Sequence, residues 1–139
     1  MDHQFHLERF VEAQAPVYQQ VVAELAAGHK RSHWMWFIFP QIAGLGHSAN
    51  AIKFALASAD EAAAYLAHPL LGARLRACSA LVAGLDDKPV EDIFGPPDDL
   101  KFHSSMTLFA EVAPDEAIFS ECLNKYFDGV PDQATIERL

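Results

Sequence analysis

Ser32-His33-Trp34-Met35-Trp36-Phe37-Ile38-Phe39-Pro40-Gln41-Ile42-Ala43-Gly44-Leu45-Gly46 decides how the rest of this chain is read. The stretch holds both tryptophans and lies inside the longest span free of acidic residues. Ser32 is placed to cap a short helical turn running through Phe39, and Pro40 with Gly44-Leu45-Gly46 forces a loop after it. Indole rings are costly to leave wet and good at building a shaped apolar wall. A histidine, an amide and two glycines beside them point to a ligand-facing turn.

Outward from that turn, no apolar-polar alternation runs long enough for a sheet, and the chain reads as helices parted by proline and glycine. Upstream, Phe5 to about Gln14 reads as one helix. Val17, Val21, Val22 and Leu25 recur at helical spacing in a second, opened by Pro16 and stopped by Gly28. Downstream, Ser48 caps a helix bearing Ile52 and Phe54, and Asp60 and Glu61 open an alanine-rich one that ends at His68-Pro69. Leu71, Leu75, Cys78 and Val82 line another, up to Gly84. Pro89 starts a short turn that closes at Phe94-Gly95, and Asp98 or Asp99 can cap a helix carrying Phe102, Met106 and Phe109. Ile118, Phe119, Cys122 and Phe127 mark a helix closed by Asp128-Gly129, and Asp132 to Leu139 supplies a last turn or two. The expected fold is all-α: one compact domain over residues 1–139, a bundle of roughly six to eight short helices with no substantial sheet.

With 139 residues, 51% of them hydrophobic, the chain has enough apolar material for one proper core. No run of about 18 apolar residues and no signal-peptide pattern is present, so neither a membrane span nor secretion is expected, and the expected compartment is the cytoplasm. Cys78 and Cys122 each fall in an apolar helical pattern and read as buried free thiols.

Charge is unevenly spread. A formal net charge of −9 marks an acidic protein and argues against bulk nucleic-acid or anionic-membrane binding, both of which need a positive face. Residues 25–85 nevertheless hold only Asp60 and Glu61 as acids against Lys30, Arg31, Lys53, Arg74 and Arg76, a balance of +3 that leaves −12 for the flanks. That basic island suits an anionic partner.

Chemistry-bearing side chains gather in two places. In the first, His33 is the obvious proton carrier, Trp34 and Trp36 can stack on a planar ligand, and Gln41 offers an amide. Residues two apart on a helix diverge by about 200°, so one tryptophan can pack while the other faces a cleft. Gly44, Gly46 and Ser48 lead into a helix start whose free N–H groups could hold a phosphate or carboxylate, with Lys53 one turn on as a cation. In the second cluster, Lys101, Ser104, Ser105 and Thr107 give a helix face dense in hydroxyls beside an ammonium, which could bind an anion or activate a hydroxyl. Plainer accounts stay open: a core histidine, packed rings, a capping serine, a solvated lysine and helix-lining hydroxyls. No metal-ligand spacing, nucleotide fingerprint or nucleophile elbow occurs, so neither a metal nor a cofactor is expected.

Together with Gly44-Leu45-Gly46, Tyr65-Leu66, His68-Pro69-Leu70-Leu71-Gly72, Arg74-Leu75, Phe94-Gly95, Asp98, Lys101 and Ser104-Ser105-Met106-Thr107-Leu108-Phe109, the His33 to Gln41 string resembles the bacterial domain-of-unknown-function family 1810 over nearly the full chain. The resemblance implies a small, mainly helical, single-domain cytoplasmic protein, and it implies no settled activity. Members have sometimes carried the label calpastatin. Calpain inhibitors of that kind are long and disordered, whereas this chain reads as compact.

Two functions are therefore expected as alternatives. One is a pocket between the Ser32 to Ser48 segment and the Lys101 to Thr107 helix, taking an anionic small molecule, with nucleotide-derived ones among the candidates, and with metal-independent hydrolysis or group transfer if it is an enzyme. The other is a non-enzymatic protein-protein interaction or binding module.

Overall fold

Capping side chains and chain-breaking residues divide the chain into ten α-helices among residues 5–139, which the computed structural model describes. In order these are α1 (Glu8–Gln14), α2 (Tyr18–Ala27), α3 (Met35–Ile38), α4 (Ala49–Lys53), α5 (Ala59–Ala67), α6 (Leu71–Ala83), α7 (Val90–Phe94), α8 (Asp98–Val112), α9 (Ala117–Phe127) and α10 (Gln133–Ile136). Ten exceeds the six to eight expected. The excess comes from α3, α4, α7 and α10, which have four or five residues each and are too short for a helical hydrophobic period to repeat.

Gly28 and Ser48 act where they were expected, and Ser58 supplies a further cap. Gly28 ends α2 at φ +75° with its N–H on the carbonyls of Glu24 and Leu25, a backbone state that costs glycine little. Ser48 and Ser58 accept from the N–H groups of Ala51 and Glu61 at the starts of α4 and α5. No strand forms among the described residues. A parallel bridge joins Ile42 to Leu56, with Leu56 N–H on the Gln41 carbonyl at 2.9 Å and Ala43 N–H on the Leu56 carbonyl at 2.8 Å.

The centre of the bundle is α8, whose residues from Phe102 to Phe109 are all buried except His103. It packs against α5, α7, α9 and α10, while α6 packs against α2, α5 and α9. Phe102 anchors a cluster of rings, stacked on Phe94 at 4.7 Å and edge-on to Phe39 at 5.0 Å. The corner between α5 and α6 is so tight that a Cβ on Gly72 would lie 2.0 Å from the Leu66 carbonyl oxygen. Cys78 and Cys122 are free and buried.

Two buried polar side chains fix the turn that carries the tryptophans. Glu24 on α2 is only 4% exposed. Its carboxylate accepts from Arg31 N–H at 2.7 Å, Ser32 N–H at 3.0 Å, Ser32 Oγ at 2.6 Å, Trp34 Nε1 at 3.0 Å and Gln20 Nε2 at 2.7 Å. Burial alone would raise its pKa, but the hydrogen bonds from Ser32, Arg31 and Gln20 outweigh that and hold it at about 2. Ser32 therefore does not cap α3 as its position suggested. Its hydroxyl is drawn to Glu24, and α3 starts without a side-chain cap. On the other side Gln14, fully buried on α1, donates to the Phe37 carbonyl at 2.7 Å and to Tyr65 Oη at 3.0 Å.

Candidate functional groove

The loop after α3 approaches α8 because the Ile42–Leu56 bridge pins it at one end and Ser48 starts α4 at the other. On α8, Lys101 and Ser104 lie three residues apart and share a face. A third wall comes from the C-terminal segment. Asp132 N–H donates to Thr107 Oγ1 at 2.9 Å, and Asp132 Oδ2 accepts from Ser104 Oγ at 2.8 Å and Thr135 Oγ1 at 2.6 Å, which staples α10 to α8.

Between these walls runs an open groove of about 400 Å³, bordered by Gln41, His47, Ser48, Lys101, Ser104 and Asp132 among others. That volume falls within the range of small-molecule sites. Beside it lies a crevice of about 10 Å³, room for roughly one water. The crevice is lined by Trp36 and Gly44 and shares Gln41, Gly46 and Ala51 with the groove.

Lys101 is the ammonium at this site, 5.0 Å above the Trp36 ring and 3.4 Å from Asp98 Oδ1. Asp98 also takes Lys30 at 2.8 Å, and Lys30 in turn lies over Trp34 at 5.1 Å. Asp98 sits in the first turn of α8 with no capping bond at the helix start, because its carboxylate is committed to the two lysines.

The two stretches singled out in the sequence thus meet, but not with every expected side chain. Gln41, Gly46, Ser48, Lys101 and Ser104 border the groove, and Trp36 and Gly44 border the crevice. The tryptophans diverge as helical geometry requires. Trp36 is partly exposed, whereas Trp34 is fully buried with its Nε1 spent on Glu24, so it has no face to offer a ligand.

His33 is exposed and lines none of the described hollows near Lys101; the imidazole bordering the groove is His47. Lys53 is exposed over the Phe54 ring at 5.2 Å, and its carbonyl accepts from Arg9. Ser105 is fully buried with an unpartnered hydroxyl, and Thr107 is fully buried between the His103 carbonyl and Asp132 N–H. Both were placed on a ligand face because α8 was read as half-solvated, whereas it is enclosed on nearly every side. The N–H groups at the start of α4 offer little anion site, since that helix is one turn long and Ser48 already occupies the Ala51 N–H.

Reasoning from sequence missed His47, Asp132 and Leu100. His47 adjoins Ser48 in the loop already suspected, and Asp132 heads the last helix, but neither carries a local mark of its long-range partner.

Much of the basic island is consumed internally. Lys30 pairs with Asp98, Arg76 with Glu116, and Arg74 binds Gln14 Oε1 at 3.3 Å while lying over Tyr18. No three His, Cys, Asp or Glu side chains group to hold a metal among the described residues, and no helix there is long and apolar enough to cross a membrane.

These features define a small all-helical protein with an open polar groove beside a half-buried tryptophan, an architecture that fixes no reaction by itself. Residues 4–139 match the family described as "protein of unknown function (DUF1810)", and the chain belongs to it. It is similar to the conserved hypothetical protein Rv1873 from Mycobacterium tuberculosis, whose crystal structure matches with a TM-score of 0.97 at 53% identity, over 98% of this chain and 97% of that one. No curated protein matches the chain.

Proposed function

We propose that the protein binds a small anionic molecule, phosphorylated or carboxylated and of about nucleotide size, in the groove between the Gln41 to Ser48 loop, α8 and α10. One observation carries this reading: an ammonium, an amide and two hydroxyls from segments some 60 residues apart border a single hollow. Lys101 supplies the charge and Gln41 an amide. Ser48 keeps a hydroxyl proton to donate, since its oxygen accepts from Ala51 N–H. If the bound molecule undergoes hydrolysis or group transfer, His47 rather than His33 is the imidazole within its reach.

A thermal-shift series with nucleoside phosphates and small carboxylates tests the reading. A probe at 100 times its dissociation constant should stabilise the wild type by about 2.7 kcal/mol. Lys101→Ala should lose most of that response, and His33→Ala should keep it. Failure of every anionic probe to shift the wild type would overturn the reading and favour the interaction-module alternative, for which Leu100 and Ile52, 63% and 65% exposed, are the apolar contacts.

A further inference from the structure

Asp132 is the one acidic side chain among the described residues that border the groove, and its carboxylate is held through one oxygen only. Oδ2 accepts from Ser104 Oγ at 2.8 Å and from Thr135 Oγ1 at 2.6 Å, and both hydroxyls belong to buried side chains. The backbone N–H of Asp132 is fixed as well, on Thr107 Oγ1 at 2.9 Å. Three bonds therefore set where this carboxylate stands, whereas Oδ1 has no partner among the described residues. The helix that follows does not use it either, since α10 takes no side-chain cap from Asp132.

No lysine, arginine or histidine pairs with Asp132 among the described residues, and the hydroxyls that hold it are neutral. Lys101, the ammonium of the groove, is turned to Asp98 at 3.4 Å instead. Lys101 and Ser104 are one turn apart on α8, with Cβ atoms about 5–6 Å from each other, and Ser104 carries Asp132. The groove thus presents two opposite charges roughly a helical turn apart that do not pair with each other. A ligand that is only an anion meets attraction from Lys101 and repulsion from Asp132. One that also brings a donor to Oδ1 turns the repulsive element into a charge-assisted hydrogen bond.

We infer that the groove selects anions that carry a hydrogen-bond donor, a hydroxyl or an ammonium, several bonds from the anionic group, and that Asp132 Oδ1 accepts from that donor. The inference rests on the binding function proposed above and narrows its ligand to a hydroxylated or zwitterionic molecule. Lys101 supplies attraction for any anion, and Asp132 supplies the discrimination among them.

Calorimetric titration of the full chain with two pairs of probes tests it: adenosine monophosphate against its 2′,3′-dideoxy analogue, and 4-aminobutyrate against butyrate. Each pair differs only in the donor group. The wild type should bind the donor-bearing member of at least one pair at least about tenfold more tightly, and that pair identifies the donor as hydroxyl or ammonium. Asp132→Asn is the informative variant, because its amide oxygen can keep the bonds from Ser104 and Thr135 while an NH2 group takes the place of Oδ1. It should weaken the donor-bearing probe until the preference falls close to one, and should bind the donor-lacking probe at least as well as the wild type does. Lys101→Ala should weaken both members of the pair.

A wild type that binds both members of each pair alike overturns this inference, whether or not Asp132→Asn folds; loss of both in Lys101→Ala then leaves the groove reading standing. A preference that survives in Asp132→Asn assigns the donor to another acceptor and overturns the role of Asp132. No probe binding the wild type overturns this inference and, where the thermal-shift series is silent too, the groove reading with it.

Discussion

Removing the carboxylate of Glu24 should unfasten the turn that carries both tryptophans. Glu24→Ala orphans the Trp34 indole N–H and the backbone N–H groups of Arg31 and Ser32, and strips the Ser32 hydroxyl and Gln20 amide of their acceptor. A buried donor left unsatisfied costs about 1–3 kcal/mol, while partly exposed ones recover water. With Trp34 fully buried and the others part-buried, the loss should come to about 3–5 kcal/mol. Glu24→Gln keeps one acceptor oxygen for the Arg31, Ser32 and Trp34 donors, so it should cost about 1–2 kcal/mol.

Acid tests the carboxylate in the wild type itself, since neither variant carries it. The folded pKa of about 2 lies below the ordinary 4.5, so the carboxylate contributes stability that is complete above the ordinary value and lost as pH falls toward 2. The shift corresponds to about 3 kcal/mol for a group this buried. Urea denaturation of wild type and Glu24→Gln at pH 7 and pH 3 is the assay: the gap between them should narrow at pH 3. A gap that stays constant, or Glu24→Ala unfolding at the wild-type midpoint, would refute the assignment of Glu24 as the anchor.

Other positions make further demands on the same structure. Trp34→Ala should destabilise by about 3–5 kcal/mol and Trp36→Ala by roughly half that, because the second ring is only partly covered; equal losses by chemical denaturation would contradict the divergence of the two rings. Gly72→Ala should cost at least about 1–3 kcal/mol, since the new methyl meets the Leu66 carbonyl, which cannot swing aside as a side-chain tip could. Burial pushes the Cys78 thiol up to about 11 and the Cys122 thiol up to about 12, so a thiol reagent at pH 8 should leave the native protein nearly unmodified and label both residues in urea.

The sequence was legible where a structural decision is local. Gly28 stops α2, Ser48 caps α4 and Asp128-Gly129 closes α9 because each acts within a turn of its own position. The divergence of Trp34 and Trp36 was legible for the same reason, being a property of helical geometry. Ser32 and Asp98 look like caps by every local criterion, yet Ser32 is drawn to Glu24 on α2 and Asp98 to Lys30 before α3 as well as to Lys101 one turn on, and only the last of these lies within a turn of its partner. Ser105 and Thr107 were misjudged through one assumption, that a helix rich in hydroxyls keeps one face in water. The central position of α8 removes that face, and the hydroxyls become internal fasteners or, at Ser105, a buried group without a partner.

Asp98 shows how the segregated charges of the chain bear on the groove. The basic residues of the island and the acids of the flanks meet across the fold, so a charge pattern that looked like a binding surface is to a large extent an internal pairing scheme. What remains for a ligand depends on the least satisfied contacts. Asp98 holds Lys30 at 2.8 Å and Lys101 at 3.4 Å, with Lys101 the more exposed of the two lysines, at 25% against 6% of its side chain. If an incoming anion draws Lys101 away, Asp98 keeps a partner in Lys30 and is not left as an unpaired charge, so the exchange avoids the main cost of breaking an ion pair. Lys30 has no such freedom, since its ammonium also donates to the Ser32 carbonyl beside the buried Trp34. The same aspartate that neutralises the island therefore leaves its outer lysine available, and that lysine stands at the groove.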